Sequence, residues 1–286
     1  MEPNLLQILF LGLVQGAAEL LPVSSSAHVI VAEKLMGLDP SSPAMTFLLV
    51  MLHTGTMVAV IAYFWKAWKR TFFADAASLR QTAVNVIVAT AATLAVGLLL
   101  KVLIEKIFMH GSNKDEMEDL FGHLPLVGGA LLAAGLLILT SGYLRGNKGT
   151  RELGLLPSLW IGISQGFCLP FRGLSRSGTT ISVGMLQGVS RQRVEEFSFA
   201  LAVVITPPAI AKELLRLLKT TADTASPHHF LHLMGPGLFG MAGAFVAGLL
   251  ALRLLSSWLE KGHWAWFGYY CVAFSGFVFF LASRGY

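Results

Sequence analysis

The sequence contains one short pattern twice. A Gly-x-x-Gln-Gly segment is followed by a proline and then by a serine cluster, as Gly12-Leu13-Val14-Gln15-Gly16, Pro22 and Ser24-Ser25-Ser26, and again as Gly162-Ile163-Ser164-Gln165-Gly166, Pro170 and Ser175-Arg176-Ser177. Each copy precedes three long apolar stretches. Small residues are common in membrane helices, so a chance match is the alternative explanation. As a repeat, the pattern divides the chain into two similar halves, and this division decides the predicted fold.

The composition identifies the apolar stretches as membrane spans. Of 286 residues, 55% are hydrophobic and 13% are charged, whereas an ordinary soluble domain carries roughly 25% charged residues. Apolar stretches of about 18 or more residues are long enough to cross a bilayer. Most soluble folds are therefore excluded, and we predict an all-α, polytopic membrane protein with six transmembrane helices. The predicted spans are Ala44–Trp65, Thr82–Leu100, Leu124–Leu144, Phe197–Leu218, Gly235–Leu255 and Trp264–Ala282.

Two other apolar regions, residues 5–38 and 154–189, are interrupted in the middle by proline, serine and glycine. Such broken segments can enter a membrane and return to the same side. Because three spans follow each region, the second one enters from the opposite face. We therefore predict a single integral membrane domain over residues 1–286, built as an inverted-topology repeat of residues 1–150 and 151–286. Each half has one re-entrant helix pair and three spans, and the broken helices meet near the bilayer midplane.

The distribution of lysine and arginine predicts the orientation in the membrane. Ten of these residues fall in connections assigned to the cytoplasmic side, namely Lys66, Lys69, Arg70, Arg80, Arg145, Lys148, Arg151, Arg191, Arg193 and Lys261. Five fall on the other side with the acidic segment 115–119, namely Lys34, Lys106, Lys114, Lys219 and Arg284. The positive-inside rule then places both termini outside the cytoplasm. The net charge of +5 therefore reports orientation, and we expect no nucleic-acid partner.

Glu19 is a candidate functional residue because it lies within an apolar run, where an ionised carboxylate costs at least ~2.5 kcal/mol. Gln15 is four residues earlier, on the same helical face. A carboxylate and an amide oxygen that converge on one point can hold a hard divalent cation, together with waters or phosphate oxygens. A Gln–Glu hydrogen bond that only holds helices together accounts for the pair equally well.

The segment Pro22–His28 ends one helix and opens another. Its three serines can cap the second helix, or they can form an anion site with the free backbone N–H groups at the helix start. His28 lies within one turn of Ser24 and Ser25, and a serine beside a histidine is the minimal pair of nucleophile and base. The spacing alone favours the cap. For His53, which lies within a span, we expect a hydrogen-bonded core histidine.

The segment Arg172-Gly173-Leu174-Ser175-Arg176-Ser177-Gly178-Thr179-Thr180 carries the strongest signal. Arginine stays charged in such an apolar region, and its planar fork binds phosphate oxygens in pairs. Glycines let backbone N–H groups approach an anion closely. A structural ion pair between Arg176 and Glu19 is the alternative, but it does not explain the neighbouring hydroxyls and glycines. The two halves together predict a site for a phosphorylated ligand at membrane depth, with the ligand's apolar part in lipid.

Over almost the whole chain, these residues resemble the bacterial undecaprenyl pyrophosphate phosphatases of the bacitracin-resistance type. The first signature of that family is Glu or Gln, three residues and then Glu, which Gln15 and Glu19 match. The second is Pro-Gly-x-Ser-Arg-Ser-x-x-Thr, which residues 173–180 match. Arg172 stands where the family usually has proline. This departure concerns the entry to the loop and leaves the phosphate-binding core intact.

The resemblance implies a multi-pass protein of the bacterial inner membrane whose active site faces the periplasmic side. It implies removal of one phosphate from undecaprenyl pyrophosphate with a divalent cation, Mg²⁺ or Ca²⁺. This reaction recycles the lipid carrier for peptidoglycan synthesis and gives bacitracin resistance. The implied partners are the polyprenyl pyrophosphate substrate and membrane lipid, and the resemblance leaves room for a homo-oligomer.

The resemblance also implies roles for individual residues. Arg176 would clamp the pyrophosphate, while Glu19, assisted by Gln15, would hold the metal or accept a proton. Ser25 is the expected nucleophile with His28 as its base or acid, and a histidine nucleophile or a metal-bound water stays open. Gln15 in place of glutamate is expected to weaken metal binding. The expected substrate-binding residues are Ser24, Ser26, Gly173, Ser175, Ser177 and Thr180.

Other functions fit parts of the pattern. A polyprenyl-phosphate transporter or flippase also builds midplane sites from inverted repeats and broken helices. An intramembrane serine protease requires Ser and His on facing helices, whereas Ser25 and His28 are local neighbours, and it leaves Arg176 without a role. The other large superfamily of lipid phosphatases requires a later His followed by Asp, and the one Asp after Arg176 is Asp223, which precedes the histidines there.

Overall fold

The computed structural model describes residues 3–39, 42–108, 123–145, 149–221 and 227–285. These residues form ten α-helices: α1 (Leu5–Leu20), α2 (Ser25–Leu35), α3 (Pro43–Thr71), α4 (Ala76–Phe108), α5 (Leu124–Arg145), α6 (Leu155–Cys168), α7 (Arg176–Leu186), α8 (Arg191–Thr221), α9 (Pro227–Glu260) and α10 (Trp264–Ser283). Within the described ranges, β-type pairing is limited to an isolated bridge between Arg151 and Val189. The all-α prediction is confirmed. The acidic segment 115–119, Lys114 and Lys148 lie outside the described residues.

Six of the described helices are long and apolar enough to cross a membrane: Ala44–Thr71, Ala76–Ile104, Leu124–Leu144, Arg191–Leu215, Met234–Glu260 and Trp264–Ser283. The predicted multi-pass membrane protein with six spans is therefore confirmed. Several spans exceed their predicted bounds, since α3 continues to Thr71 and α4 begins at Ala76. A helix continues past its apolar stretch because its backbone hydrogen bonds do not depend on side-chain polarity. α8 also continues through Pro207 and Pro208.

The two interrupted regions each form a pair of short helices, α1 with α2 and α6 with α7. α1 has 16 residues and α6 has 14. At 1.5 Å per residue these helices measure about 24 and 21 Å, less than the roughly 30 Å of the hydrocarbon core. α1 ends just before Pro22, and α6 ends just before Pro170. The proline of each repeated segment thus lies in the break between the two helices of its pair.

The first helix of each pair packs along a long helix of the other half of the chain. α1 lies along α9, and α6 lies along α4. A Cβ added at Gly16 would come within 2.4 Å of the Ala244 carbonyl oxygen of α9, and one added at Gly162 within 2.2 Å of the Ala89 carbonyl oxygen of α4. The glycines of the repeated pattern therefore allow close backbone approach at equivalent places in the two halves.

The remaining contacts position the functional region. α5 packs along α10, and α7 packs against α5, α6 and α8. α3 packs against both α8 and α9. The start of α7 is therefore held in the interior, near the end of α1, with α3 and α8 on the same side. The outer faces carry many exposed Leu, Val and Phe side chains, as expected for a surface in contact with lipid.

Candidate active site

Residues of the two interrupted regions meet at the starts of α2 and α7. The backbone N–H of Gly173 donates to Ser26 Oγ at 3.2 Å, and Ser177 Oγ donates to the Leu21 carbonyl at 3.3 Å. Arg176 Nη2 lies 3.1 Å from Glu19 Oε1, although the two residues are 157 positions apart. The structure thus brings together the candidate residues that the sequence places in separate halves.

A serine caps each of the two helix starts. Ser24 Oγ accepts a hydrogen bond from the Ala27 N–H of α2 at 3.4 Å, and Ser175 Oγ accepts one from the Gly178 N–H of α7 at 3.2 Å. Among the described residues, Ser24 is the one non-glycine residue with positive φ, at 67°. This backbone conformation costs roughly 1–3 kcal/mol and persists where the surrounding structure enforces it. The capping role considered for the serines is therefore present in both halves.

The loop before α7 requires a glycine at position 173. Gly173 has φ +103°, and a Cβ there would lie 2.3 Å from the Val127 carbonyl oxygen of α5. Any other residue would have to adopt an unfavourable backbone conformation and displace α5. Gly173 thus sets the close approach of this loop to α5 directly before α7 begins.

Glu19 is the centre of the site. Ser25 Oγ donates to Glu19 Oε2 at 2.5 Å, and Gln15 Nε2 donates to the same oxygen at 3.2 Å. Arg176 holds the other carboxylate oxygen. The side chains of Glu19 and Arg176 are 18% and 21% exposed, so both reach an open space. A carboxylate that accepts a hydrogen bond from a serine hydroxyl is placed to take the proton of that hydroxyl when the serine attacks.

His28 has other partners than Ser25. Its Nδ1 is 2.8 Å from the Ser24 carbonyl oxygen, and its Nε2 is 2.6 Å from the Tyr270 hydroxyl. The ring also stacks on Phe274 at a centroid distance of 4.1 Å. The expected Ser25–His28 pair is therefore absent from this structure, because both ring nitrogens are engaged and the Ser25 hydroxyl turns to Glu19.

A small open cavity lies beside Glu19 and Arg176. It lies between α1, α3, α7 and α8, and its lining residues are Glu19, Leu20, His53, Thr56, Met57, Val60, Arg176, Ala202, Val203 and Thr206. The lining combines polar side chains, which can contact a phosphate, with aliphatic side chains, which can contact a hydrocarbon chain.

His53 lines the cavity, although its position within a span predicts a hydrogen-bonded core histidine. Its Nδ1 is 2.8 Å from the Leu49 carbonyl oxygen, so the expected hydrogen bond is present. Its side chain is nevertheless 41% exposed, and its Nε2 lies 4.0 Å from Glu19 Oε2. In the sequence, His53 is recognisable only as a histidine inside an apolar span. That position does not reveal which helices its face of α3 contacts.

The residues expected to bind substrate through hydroxyl groups make hydrogen bonds to the loop, to α7 and to neighbouring helices. Thr180 Oγ1 is 2.6 Å from Ser198 Oγ and donates to the Arg176 carbonyl at 2.8 Å. Ser175 and Ser177 are buried and bonded as described above. None of the six expected substrate-binding residues is among the residues that line the cavity. Their described contacts position Arg176 and Ser25.

The residues expected to hold a divalent cation are hydrogen-bonded to other groups in this arrangement. Both oxygens of Glu19 accept hydrogen bonds, and Gln15 directs its amide nitrogen, not its oxygen, toward Glu19. Arg176 adds a positive charge beside the same carboxylate. A Mg²⁺ or Ca²⁺ ion, which prefers oxygen ligands, would share the lone pairs of Glu19 with these donors. In the part of the chain that the structure describes, no three His, Cys, Asp or Glu residues are grouped to hold a metal ion.

Known proteins resemble this chain along nearly its whole length. The family model described as Bacitracin resistance protein BacA matches residues 8–277. The chain is 56% identical over 282 residues to Undecaprenyl-diphosphatase 2 of Acinetobacter baylyi, covering 98% of each protein. It is 33% identical over 299 residues to Undecaprenyl-diphosphatase of Desulfosudis oleivorans, covering 99% of this chain and 100% of that protein. It is 31% identical over 285 residues to Undecaprenyl-diphosphatase of Korarchaeum cryptofilum, covering 93% and 95%.

Proposed function

The chain belongs to the bacitracin resistance protein BacA family, and from this membership we propose that it is an undecaprenyl-diphosphatase. It hydrolyses undecaprenyl pyrophosphate to undecaprenyl phosphate and inorganic phosphate. The observation that carries the proposal is the convergence of Ser25 and Arg176 on Glu19 beside a cavity with an apolar wall. The transporter alternative is not favoured, because the relatives are named for the diphosphatase reaction.

Ser25 acts as the nucleophile in the proposed reaction. Its Oγ attacks the terminal phosphorus of the lipid diphosphate while Glu19 accepts the hydroxyl proton. The bond between that phosphorus and the bridging oxygen breaks, and undecaprenyl phosphate leaves with the bridging oxygen. A water molecule then hydrolyses the phosphoserine, which releases inorganic phosphate and restores the hydroxyl. The 2.5 Å hydrogen bond from Ser25 to Glu19 supports this assignment over one in which His28 is the base.

Arg176 stabilises the charge on the phosphate under attack. Phosphoryl transfer spreads negative charge over the equatorial oxygens, and catalysis depends mainly on positioning and electrostatic stabilisation. One terminal nitrogen of Arg176 bonds Glu19, and the other, Nη1, is buried without a hydrogen-bond partner. The capped starts of α2 and α7 add the partial positive charge of helix N-termini. The proposed steps use these groups of the chain alone.

His28 serves as a positioning residue in this proposal. Its contacts with Ser24 and Tyr270 connect the turn before α2 to α10. Ser25 follows Ser24 directly, so movement of this turn would change the angle at which the Ser25 hydroxyl approaches a phosphorus atom. Placement errors of this kind reduce the rate strongly, even where the nucleophile itself is intact.

The location of the site in the membrane is also proposed. The two halves form an inverted-topology repeat with re-entrant helix pairs, and the packing of α1 on α9 and of α6 on α4 supports this. The protein lies in the bacterial inner membrane, with the site open to the periplasmic side. The excess of lysine and arginine at the opposite ends of the spans supports this orientation. The apolar wall of the cavity takes the beginning of the polyprenyl chain.

Phosphate release from farnesyl diphosphate and undecaprenyl pyrophosphate by the purified protein in detergent tests the proposed function. We expect release of one phosphate per lipid and its loss in the variant Ser25→Ala. The same protein in liposomes, assayed for movement of a fluorescent polyprenyl phosphate, tests the transporter alternative. Lipid movement without any phosphate release would overturn the proposed function.

A further inference from the structure

His53 presents one free ring nitrogen to the cavity. A carbonyl oxygen only accepts hydrogen bonds, so the 2.8 Å contact with the Leu49 carbonyl places a hydrogen on Nδ1. Nε2 faces the cavity, and in the imidazolium form of the ring it carries a hydrogen that it can donate to a ligand oxygen. Its distance of 4.0 Å from Glu19 Oε2 is too long for a hydrogen bond. The ring therefore faces the site at ion-pair distance from Glu19, and its Nε2 makes no hydrogen bond there.

The helix around His53 is held firmly. Thr56 Oγ1 donates to the His53 carbonyl at 2.9 Å. At Gly55, a Cβ would come within 2.4 Å of the Met241 carbonyl oxygen of α9, so the backbones of α3 and α9 are in close contact there. A side chain on such a fixed segment is suited to bind a ligand at a defined position, because little freedom remains to be lost on binding.

One face of α3 forms a stripe that changes from polar to apolar along the cavity. His53, Thr56, Met57 and Val60 all line the cavity, and their spacing of three, four and seven residues places them on one helical face. Polar groups lie at the His53 end and aliphatic groups at the Val60 end. In a lipid diphosphate, the phosphate attached to the polyprenyl chain lies between the terminal phosphate and the hydrocarbon. The stripe on α3 follows the same order, with polar side chains first and aliphatic side chains after them.

Resting on the proposed function, we propose that His53 Nε2 binds the phosphate that remains on the lipid, while Arg176 and Ser25 act on the terminal phosphate. Glu19, Ser25 and Arg176 form one compact group that serves the reacting phosphorus, and a diphosphate carries a second set of oxygens next to its chain. Besides Arg176, His53 is the lining residue with a side-chain nitrogen, and Thr206 of α8 lines the same cavity. His53 is thus a further substrate-binding residue.

Farnesyl phosphate, a product that keeps only the phosphate assigned to His53, is the discriminating probe. In His53→Leu, we expect the KM for farnesyl diphosphate and the inhibition constant of farnesyl phosphate to rise roughly 10-fold or more, as for loss of a hydrogen bond to a charged group. The kcat should change less than about threefold, and inhibition by inorganic phosphate should stay the same. His53→Gln, which retains an N–H donor of similar reach, should restore most of the farnesyl phosphate affinity.

Two controls separate binding from folding. Thr54→Val alters the neighbouring residue on α3, whose hydroxyl donates to the Val50 carbonyl and which is not among the cavity residues, and we expect its kinetic constants to match the wild type. His53→Ala, compared by thermal unfolding in detergent, replaces His53→Leu if the leucine variant does not fold. A fall in kcat at constant KM, or equal weakening of inorganic phosphate and farnesyl phosphate, would overturn the assignment.

Calorimetric titration of farnesyl phosphate needs no turnover, and it separates this inference from the proposed function. Weaker binding in His53→Leu than in wild type and His53→Gln supports the subsite even for a protein that releases no phosphate, an outcome that would overturn only the hydrolase assignment. Equal binding in all three proteins, together with normal phosphate release, would overturn the subsite and leave the hydrolase intact.

Discussion

At the scale of single residues, the site depends on one carboxylate that serves three partners. Glu19 is bonded to Ser25, Gln15 and Arg176, and it lies close to His53. A carboxylate at membrane depth is stabilised by such partners, because each hydrogen bond replaces part of the lost hydration. Because Ser25 is hydrogen-bonded directly to Glu19, the two residues are expected to behave as one functional unit.

Substitution of Glu19 and Ser25 should have non-additive effects. Glu19→Gln keeps the size of the side chain but removes the proton acceptor, and we expect a loss of phosphate release of about 10²–10⁴-fold. Ser25→Ala should lose at least as much. The double variant should be no slower than the worse single variant, because residues that act in one step fail together. Effects that multiply in the double variant would contradict a shared step.

Arg176→Lys tests whether the guanidinium of Arg176 stabilises the phosphate under attack. Lysine keeps the positive charge but offers no planar fork, so it cannot hold a carboxylate and a phosphate in fixed directions. By analogy with arginines that stabilise phosphoryl transfer, we expect kcat to fall about 10³-fold or more. Because lysine also changes the geometry of the ion pair with Glu19, the variant must be compared with wild type by thermal unfolding. Near-normal kcat in a folded Arg176→Lys protein would remove the clamp from the mechanism.

Cation binding by the ligand-free protein should be weak. Arg176 and the occupied oxygens of Glu19 disfavour a bound cation, and we expect calorimetry to give a dissociation constant for Ca²⁺ weaker than about 1 mM. Gln15→Glu adds a second carboxylate on the same helical face and should strengthen Ca²⁺ binding. Tight one-to-one binding by the wild-type protein would show that the site rearranges to accept a metal.

The sequence predicts the charged residues of the site better than the surroundings of its histidines. Glu19 and Arg176 were identifiable because a charge in an apolar segment is costly and therefore needs a reason. The surroundings of His28 and His53 were not predictable, because periodicity shows which residues share a helical face but not which helix that face meets. Tyr270, for example, is 242 positions from His28 in the chain and yet its hydrogen-bond partner.

At the scale of helices, the repeated glycines act through packing. Gly16→Ala and Gly162→Ala each place a methyl group against the backbone of the neighbouring helix. We expect each to lower the free energy of unfolding by about 1–3 kcal/mol, as overpacking does. Thermal unfolding in detergent measures this. Gly129→Ala and Gly276→Ala are matched controls, because nothing lies within 4 Å of a Cβ at those positions, and equal destabilisation by all four would contradict the packing role.

The helices themselves were largely predictable, and their ends were not. Six apolar stretches fixed the number of spans, and proline with serine marked the breaks near Pro22 and Pro170. The extension of α3 to Thr71 was missed because Trp68 lies beyond the apolar stretch, packed in the aromatic cluster with Phe64 and Phe72. Tertiary packing, which a linear apolar stretch does not encode, stabilises that last part of the helix.

At the scale of the whole molecule, the proposed orientation can be tested by cysteine labelling. In a variant lacking Cys168 and Cys271, single cysteines at Lys34 and Arg284 should react with a membrane-impermeant maleimide in intact cells. Cysteines at Lys66 and Lys261 should react only after the membrane is opened. All four native side chains are exposed, so the labelling pattern should reflect sidedness alone. The reverse pattern would invert the orientation and place the site on the cytoplasmic side.

The packing of α1 against α9 has a consequence for how the protein is made in the cell. The ribosome produces α1 first and α9 only when most of the chain has been translated. Until then, the face of α1 that carries Gly16 has no partner helix and is exposed to lipid and to membrane proteases. Chains that stop before Pro227 are thus expected to be degraded. A nonsense mutation shortly before that position should therefore abolish the protein as completely as an early one.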